Sequence, residues 1–385
     1  MVVTFVEGDC PVSMHRYAVP TETTHWNIPG VESEVSFSWD YDNGRQRMLS
    51  LYEKGKQKQW DAQVRIDWTQ DYDPRDVAVM PNEVMPIFGS DEYSKMSDDE
   101  QGHLRHHFAA WTTSQFLHGE QGALVCAAKI VETVPDIDSK FYAATQVMDE
   151  ARHVETYAKY VNEKLQLAYP INPSLASLLN DTITDNRWDM TYLGMQVLIE
   201  GVALAAFSMI RDFTLDDTGR SVTAYIMADE ARHIAFGRLA LKDAYADLTD
   251  AERKEREEFV IEGSYLLRDR FLAREVWEVH GMDADKMCAY VDKAQIYTEF
   301  RKALFSRVVP TVKDIGLWSP RIQKVYEDMG VLGFADSNLD QMFDDDERIA
   351  DELEALMAAR KEGARIVDTG SRAHAMAETM AHADS

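Results

Sequence analysis

Cysteine is scarce in this 385-residue sequence, which contains only Cys10, Cys126 and Cys288. None of the three lies in a Cys-x-x-Cys spacing, which argues against a disulfide framework, a zinc ribbon and a cysteine-ligated iron–sulfur cluster. Glycine and proline are also sparse, at 19 and 11 residues, and their scarcity favours helix. We therefore expect a helical protein in a reduced, cytoplasmic setting.

Long hydrophobic runs and excess positive charge are lacking as well. No stretch of about 18 uniformly apolar residues predicts a membrane span, and the N-terminus lacks the basic start and long apolar core of a signal peptide. The chain has 40 Lys and Arg residues against 67 Asp and Glu residues, so its formal net charge is −27. Such a surface repels nucleic acid and anionic membranes. We therefore expect neither as a partner and attribute the charge to solubility.

The most informative pattern that is present is a repeated pentapeptide. Asp-Glu-Ala-Arg-His occurs at residues 149–153 and again at residues 229–233. Each copy places a glutamate three residues before a histidine, and the two pairs are Glu150 with His153 and Glu230 with His233. Residues three apart share one face of a helix, so each pair can reach inward toward one metal ion.

A further glutamate stands thirty residues upstream of each pair. Glu120 and Glu200 both interrupt mostly apolar helical stretches, at residues 117–123 and 197–202. A charged side chain in such a stripe is costly to bury unless it is paired or bound to a metal. Four carboxylates and two imidazoles on four helices are the ligand set of a dinuclear carboxylate site in a helix bundle.

Apolar periodicity and helix-breaking residues predict four long helices around these motifs, at about 100–134, 139–165, 185–213 and 219–248. Other helices are predicted at 45–60, 251–279, 283–306 and 347–362, with extended wrapping chain at 68–86. The expected organisation is an N-terminal arm at 1–97, irregular over residues 1–40, the bundle at 98–248, additional helices of the same domain at 249–366, and a disordered tail at 367–385.

On these residues the chain resembles the ferritin-like, ribonucleotide-reductase-related superfamily of carboxylate-bridged diiron proteins. The resemblance covers roughly residues 98–248. It implies an all-α fold: a ferritin-like four-helix bundle with additional helices and an irregular N-terminal arm. It also implies a cofactor of two iron ions, or of an Mn/Fe pair. Carried over residue by residue, one metal would be bound by Glu120, Glu150 and His153 and the other by Glu200, Glu230 and His233, with Glu150 and Glu230 as bridges.

The resemblance also assigns a role to the aspartate that precedes each downstream glutamate. In the superfamily this residue often accepts a hydrogen bond from a metal-binding histidine on the facing helix. Asp149 and Asp229 stand at those positions and would orient an imidazole. The alternative is that each is a surface acid paired with Arg152 or Arg232.

Three more positions distinguish subfamilies. Tyr157 lies four residues after His153, where the reductase small subunit carries its radical tyrosine; the alternative is a packed core aromatic. The monooxygenases and desaturases place a threonine one turn after the third glutamate, where this chain has Ala203 and Leu204. The arylamine N-oxygenases add a third histidine one turn before the last glutamate, where this chain has Ile226. A close copy of any one of these mechanisms is therefore in doubt.

Other histidines and glycines near the motifs invite plainer interpretations. We expect His118 to be a packed core histidine, and we expect three others to be solvated: His103, His106 and His107. Glycines flank both upstream glutamates, at Gly119, Gly122 and Gly201. Because glycine weakens a helix by roughly 1 kcal/mol relative to alanine, their use indicates tight helix packing, a local bulge or room for substrate.

The leading functional hypothesis is an O2-activating diiron oxygenase or oxidase that hydroxylates, N-oxygenates or desaturates a small apolar or aromatic organic substrate. Candidate pocket residues are Phe116, Met148, Met195, Phe207 and Met227. Because no flavin or nicotinamide motif is present, electrons would come from an external ferredoxin or flavin reductase. A homodimer is expected only by analogy.

Three alternatives stay open at this point. One is a radical-generating subunit like the reductase small subunit, for which Tyr157 is the direct support. Another is a ferroxidase or iron-storage protein, although the chain is about twice as long as a storage ferritin needs. The last is a structural subunit with a vestigial bundle, which the intact set of six ligands argues against.

Overall fold

All regular elements in the described part of the chain are helices, which confirms the all-α expectation. The structure is a computed structural model that describes Ala18, residues 45–71, 73–77, 80–213 and 216–349, and positions 351, 352, 355 and 359. The α-helices are α1 (Gln46–Gln57), α2 (Ala62–Arg65), α3 (Asp91–Ser94), α4 (Asp98–Thr133), α5 (Ile137–Lys159), α6 (Pro173–Thr184), α7 (Trp188–Tyr192), α8 (Glu200–Phe213), α9 (Asp217–Ala244), α10 (Asp250–Asp269), α11 (Arg274–Val279), α12 (Ala284–Lys293), α13 (Gln295–Ala303), α14 (Val308–Asp314) and α15 (Pro320–Asp328).

Helices α4, α5, α8 and α9 form the predicted four-helix bundle, with α4 against α5 and α8 against α9. Capping residues in the local sequence determine where three of these helices begin. Ser97 caps α4 in a capping box with Glu100, and Asp136 and Asp216 accept hydrogen bonds from the first backbone N–H groups of α5 and α9. Helix α1 packs outside the bundle on α5 and α9 and confirms the helix predicted at 45–60.

The predicted helix at 185–213 is interrupted rather than continuous. Helix α7 widens into a π-helical segment, Leu193–Ile199, and α8 begins directly at Glu200. A second π-helical segment, Tyr160–Leu165, ends α5 and closes with Gln166 at φ 53°. Wide turns of this kind are favoured by tertiary packing and are frequent at functional sites. The first of them places Glu200 at the start of its own helical segment.

Trp188–Arg211, which spans this interruption, is long and apolar enough to cross a membrane. The prediction from apolar runs did not anticipate such a stretch. In the fold, 78% of its apolar window is buried against the rest of the protein. It is the core helix of the bundle, with Tyr192, Val197 and Phe207 fully buried.

The region between the second and third bundle helices contains a helix that we did not predict. Pro173 does not prevent a helix here, because it occupies the first turn of α6, where its missing N–H is not needed. Asn172 caps this helix by accepting from the backbone N–H groups of Ser174 and Leu175, at 2.9 and 3.2 Å. Buried leucines such as Leu179 then pack α6 on the bundle.

The C-terminal helices are shorter than predicted. The helix expected at 251–279 is α10 and α11, separated by a 3-10 turn at Arg270–Leu272 and by Ala273 at φ 53°. The helix expected at 283–306 breaks at Ala294, which has an extended backbone, into α12 and α13. Two more helices, α14 and α15, were not predicted. These breaks fold the C-terminal helices back against the bundle.

The N-terminal region packs on the bundle where it is described. Lys164 donates to the backbone oxygen of Trp68 at 2.7 Å, and short turns replace the extended chain expected at 68–86. Except for Ala18, the irregular arm expected at 1–40 lies outside the described residues. So do the tail expected at 367–385 and much of the helix expected at 347–362.

Candidate metal centre

The structure brings the six predicted ligands together in two buried clusters. One contains Glu120, Glu150, His153 and Glu230, and the other contains Glu150, Glu200, Glu230 and His233. Within each cluster the potential ligand atoms all lie within 4.8 Å of one another. Glu150 and Glu230 belong to both clusters, which is the geometry that bridging carboxylates require.

Both imidazoles point Nδ1 at the shared carboxylates. Nδ1 of His153 lies 3.4 Å from Glu150 Oε2, 3.0 Å from Glu230 Oε1 and 3.2 Å from Glu120 Oε2. Nδ1 of His233 lies 3.1 Å from Glu150 Oε1 and 3.4 Å from Glu230 Oε2. The two histidines thus lie at similar distances from the shared carboxylates, as expected from the repeated pentapeptide, and His153 contacts Glu120 in addition.

The donor set fits two divalent cations. Buried atoms without a hydrogen-bond partner are Glu150 Oε2, Glu200 Oε2, both carboxylate oxygens of Glu230, and His233 Nδ1. Unsatisfied buried carboxylate oxygens are costly, and two cations would neutralise the four charges and use these lone pairs. Carboxylate oxygens with one imidazole each are ligands that iron and manganese accept.

Without metal, several of the buried ligand side chains have strongly shifted pKa values, because their charges are not compensated. Burial, together with the charge of Glu230, raises the pKa of Glu120 to about 8. Burial and the charges of Glu230 and Glu150 raise the pKa of Glu200 well above its ordinary value. Burial alone would lower the pKa of His153, but hydrogen bonds to Asp229 and the surrounding glutamates raise it well above its ordinary value. The cavity therefore stabilises positive charge at this place.

Each histidine is oriented by the aspartate of the opposite pentapeptide. His153 Nε2 lies 3.1 Å from Asp229 Oδ2, and His233 Nε2 lies 3.3 Å from Asp149 Oδ2. The carboxylates can only accept, so each Nε2 donates to its aspartate, and with metal bound each Nδ1 would be the ligand atom that faces the cluster. The crossed pairing is the arrangement that the resemblance implied.

The arginine contacts proposed as the alternative are also present, and they are buried. Arg152 donates to Asp149 Oδ1 at 2.5 Å and to Asp229 Oδ2 at 2.8 Å, while Arg232 pairs with Asp229. The aspartates therefore orient the imidazoles and pair with arginines at the same time. Two further donors join from the N-terminal region: Gln59 to Asp149 at 2.7 Å and Trp60 to Asp229 at 2.8 Å.

Replacing Asp229 with asparagine should weaken metal binding without removing a ligand. The amide keeps the shape but can present its NH2 group to His153, which favours the wrong tautomer. We expect a roughly 10–100-fold loss of iron affinity, the usual effect of removing such a partner. Competition with a metal chelator would measure it. Asp181→Asn, on the exposed face of α6, is the control; equal affinities in both variants would refute the orienting role.

Sequence inspection missed two buried glutamines beside the ligands. Gln146 donates to Glu150 Oε1 and to Glu200 Oε1, both at 3.1 Å, and Gln196 donates to Gln146 at 3.3 Å. Each glutamine lies four residues before a cluster glutamate and so on the same helical face. This four-residue spacing could have identified both glutamines from the sequence. No spacing in the sequence could have identified Gln59 and Trp60, because the residues that they contact are about 90 and 170 positions away.

Three of the positions that distinguish subfamilies are buried, and Tyr157 lies close to the clusters. Tyr157 is buried with an unpartnered hydroxyl, and its ring lies 6.2 Å from that of Phe116. Its pKa is raised by burial and then by the charges of Glu120 and Glu230. Ile226 and Leu204 are fully buried. At these two positions the sequence therefore offers neither the threonine nor the third histidine.

The plainer prediction for the histidines is partly wrong, whereas two of the alternatives for the glycines, tight packing and open space, are both observed. His118 is a packed histidine, as expected, with Nε2 2.9 Å from the backbone oxygen of Tyr169. His107, expected to be solvated, is buried. A Cβ on Gly122 would lie 2.5 Å from Leu179, so this glycine permits close packing of α6, whereas a Cβ on Gly119 would meet open space.

That open space belongs to a small cavity beside the clusters. Its volume is about 20 Å³, roughly that of one water molecule. It is lined by Gln115, Phe116, Gly119, Glu120, Ala123, Met195, Ile199, Glu200, Ala203, Glu230 and Arg270. Among the predicted pocket residues, Phe116 and Met195 line it. The other three do not: Phe207 and Met227 are buried elsewhere in the core, and Met148 is 60% exposed.

Of the lining residues just named, Arg270 is the one with a cationic side chain, and its sequence context did not single it out. It is only 5% exposed, and its guanidinium lies 4.8 Å from the ring centroid of Phe271. Among the described residues, no carboxylate forms an ion pair with it. Burial lowers its pKa to about 10, so it stays charged at neutral pH.

Most of the chain also matches the model of a known protein family. The family model described as P-aminobenzoate N-oxygenase AurF matches residues 42–316. The chain belongs to this family. It is therefore an O2-dependent diiron oxidoreductase, as predicted. No curated protein matches the AurF-family chain described here.

Solved structures similar to this AurF-family protein include R2-like ligand-binding oxidases. One is a mutant with an anaerobically reconstituted Mn/Fe cofactor, 17% identical over 72% of this chain and 96% of that chain, with a TM-score of 0.44. Another, from Sulfolobus acidocaldarius, is 17% identical over 74% of this chain and 94% of that chain, with a TM-score of 0.42.

Proposed function

We propose that this AurF-family protein binds two iron ions through Glu120, Glu150, His153, Glu200, Glu230 and His233 and uses them to oxidise a small organic substrate with O2. The supporting observation is the pair of buried clusters that share Glu150 and Glu230. An Mn/Fe pair would suit the same ligands. When bound, the metal pair supplies electrons and open coordination positions at which O2 is activated.

The side chains around the proposed metal ligands orient these ligands and limit their movement. Asp149 and Asp229 fix the tautomers of the two histidines. Gln146 joins Glu150 to Glu200 and so limits the movement of both carboxylates. Full burial of the ligands excludes bulk water, which protects the reaction from side products.

Among the possible outcomes we favour oxidation at nitrogen of an aromatic amine. The family model carries the description of a p-aminobenzoate N-oxygenase, and Phe116 and Phe207 form an aromatic wall near the clusters, with ring centroids 4.7 Å apart. One oxygen atom of O2 would enter the substrate and the other would leave as water, using two electrons and two protons. Isoleucine at position 226 removes the third histidine of the arylamine N-oxygenases, so the metal pair would have one protein ligand fewer.

The reductant, the assembly and the location are parts of the same proposal. An external ferredoxin or flavin reductase would deliver the two electrons, because no nicotinamide or flavin motif occurs in the chain. We infer a homodimer by analogy with similar bundles and a cytoplasmic location from the low cysteine content.

Oxygen consumption by the reduced, iron-loaded protein tests this function. We expect 4-aminobenzoate and related arylamines to give hydroxylamino, nitroso or nitro products, identified by mass spectrometry with 18O2. Benzoate, which lacks the amine, is the control. Label in the ring rather than on nitrogen would replace N-oxygenation with hydroxylation, and reduction of O2 without labelled product from any substrate would remove the oxygenase assignment.

A radical-generating role is the second candidate, and one observation favours it. The Tyr157 hydroxyl is buried, unpartnered and close enough to Glu120 and Glu230 to feel their charge. Electron paramagnetic resonance on the same oxygen-exposed samples would decide. A tyrosyl signal that is lost in Tyr157→Phe supports this role, and a spectrum without such a signal removes it.

Because of Arg270, we expect the substrate to carry an anionic group. Its guanidinium is buried on the cavity without a carboxylate partner, and a buried unpaired charge is costly until an anion joins it. A cavity of about 20 Å³ does not admit an aromatic ring, so the flexible Met195 side chain would have to move.

Replacing Arg270 with glutamine should therefore weaken 4-aminobenzoate binding roughly 10–100-fold, the range for losing a hydrogen-bonded charge. Binding of uncharged aniline should change little. Equilibrium dialysis with iron-loaded protein measures both. Arg268→Gln is the matched control, since Arg268 pairs with Asp269 at the surface. Equal losses for both ligands would mean that the variant harms the fold rather than anion binding.

A further inference from the structure

Three histidines form a second cluster, far from the metal centre. His103 and His107 lie one helical turn apart on α4, and His280 follows the end of α11. Ring centroids are 4.4 Å apart for His103 and His107, 4.6 Å for His107 and His280, and 5.4 Å for His103 and His280. One ring nitrogen from each residue lies within 4.8 Å of the other two. His107 is thirteen residues from Glu120, about 20 Å along the helix.

The tautomer of His280 directs a bare lone pair into this cluster. Its Nδ1 lies 2.9 Å from the backbone oxygen of Val276. A carbonyl oxygen only accepts, so Nδ1 carries the hydrogen and Nε2 carries the lone pair. Nε2 is buried and has no hydrogen-bond partner. A buried acceptor without a donor is unfavourable, and a cation would satisfy it.

His107 is held in a matching way. Its Nδ1 lies 2.8 Å from the Tyr169 hydroxyl, and this contact fixes the ring. The hydroxyl can accept from the Nδ1–H group, which places the lone pair of the ring on Nε2. Burial, then the neighbouring His280 and His103, lower the pKa of His107 to about 3. The ring is neutral at pH 7, the form that binds metals. His103 is exposed and gives the cluster access to solvent.

We propose that His103, His107 and His280 form a mononuclear site for a transition-metal cation of the Zn²⁺ class. Two histidines four residues apart on one helical face, joined by a third from elsewhere, are a common zinc ligand set, with a fourth position for water. The bound cation would tie the start of α4 to the end of α11. Imidazole ligands also suit Ni²⁺, Cu²⁺ and Co²⁺, so the site is defined by its ligands rather than by one metal.

Zinc titration of the iron-loaded protein tests the site. We expect about one zinc ion per chain to be retained after equilibrium dialysis against buffered free zinc, with the iron content unchanged, when both metals are measured by mass spectrometry. His280→Ala should lower the zinc affinity at least about tenfold. His106→Ala is the matched control, because His106 lies on the same helix but directs Nε2 at the backbone oxygen of Leu165, 2.7 Å away.

Bound cobalt gives an independent measurement. One equivalent of Co²⁺ added to iron-loaded protein should produce the intense visible bands of a four-coordinate imidazole site, and these bands should disappear in His280→Ala and persist in His106→Ala. Zinc should also raise the melting temperature of the wild type but not of His280→Ala. The proposal is overturned if the wild type retains no zinc beyond its iron, if zinc only replaces iron, or if His106→Ala loses zinc equally. None of these outcomes depends on the proposed oxidation reaction.

Discussion

Replacing either Glu120 or Glu200 with alanine is expected to leave the purified protein without a complete pair of iron ions and without O2-dependent oxidation. Each residue supplies the only carboxylate of its cluster that the other cluster does not share. Alanine also removes one of the charges that neutralise the metal ions. The affinity loss should exceed the roughly 10–100-fold that follows from removing an orienting partner.

Iron content per chain, measured after loading and desalting, is the direct readout. Glu132→Ala is the control for Glu120→Ala, because Glu132 lies on the same helix and faces solvent. Circular dichroism would show that the helices persist in each variant. Two iron ions per chain in both the Glu120 and the Glu200 variants would contradict the assignment of these ligands.

Glu150 and Glu230 should behave differently from those two residues. Because each lies in both clusters, its removal affects both metal positions at once. Variants that lack Glu150 or Glu230 should each lose the two metal ions, whereas Glu120→Ala leaves the cluster around Glu200 and His233 intact. A single retained ion in the Glu120 variant and none in the Glu150 variant would distinguish bridging from terminal ligands.

The ligands were predictable because their relation to one another is local. Three-residue spacing on a helix places Glu150 beside His153 whatever the rest of the chain does, and a glutamate in an apolar stripe such as that around Glu200 points inward for the same reason. The crossed contacts of Asp149 and Asp229 were implied by the resemblance to the diiron superfamily rather than by the spacing alone. Local helical geometry therefore decided most of the centre.

Contacts made by distant segments were not predictable in this way. Trp60 reaches Asp229, and His280 reaches His107, only because the surrounding helices pack as they do. Arg270 is one charged residue among many until the turn after α10 brings it to the cavity. The π-helical turn before Glu200 adds a residue that no apolar period reveals, since its cause is tertiary packing.

Removing the metal is expected to make the stability of the protein fall as the pH rises. In the folded protein without metal, the pKa of Glu120 is raised to about 8 from an ordinary 4.5, and that of Glu200 is raised in the same direction. Both histidines also have raised pKa values. In the unfolded chain these groups lose their protons at ordinary pH values, so between about pH 4.5 and 8 the folded state holds protons that the unfolded state has released.

The sign follows from this difference. A raised pKa gives stability that is fully present below the ordinary pKa and is lost as the pH rises through the folded value. Each extra proton held by the folded state lowers the free energy of unfolding by about 1.4 kcal/mol per pH unit. The lowered pKa values of Glu150 and Asp229 act only at more acidic pH and do not change this slope. Iron binding displaces the same protons, so it should release them and remove most of the pH dependence.

Guanidinium denaturation of chelator-treated and iron-loaded protein at pH 6 and pH 8.5 measures both slopes, and a pH indicator in weak buffer measures the protons released by iron. Glu120→Gln provides the control, because glutamine keeps the side-chain shape but cannot titrate. In the metal-free form, the free energy of unfolding of this variant should fall less steeply with pH than that of the wild type. The difference should be up to about 1.4 kcal/mol per pH unit, the effect of one proton. A metal-free protein whose stability is flat or rises over this range would show that the clusters hold their charges without protons. The binding of two cations would then have to be driven by something other than the replacement of buried protons at Glu120 and Glu200.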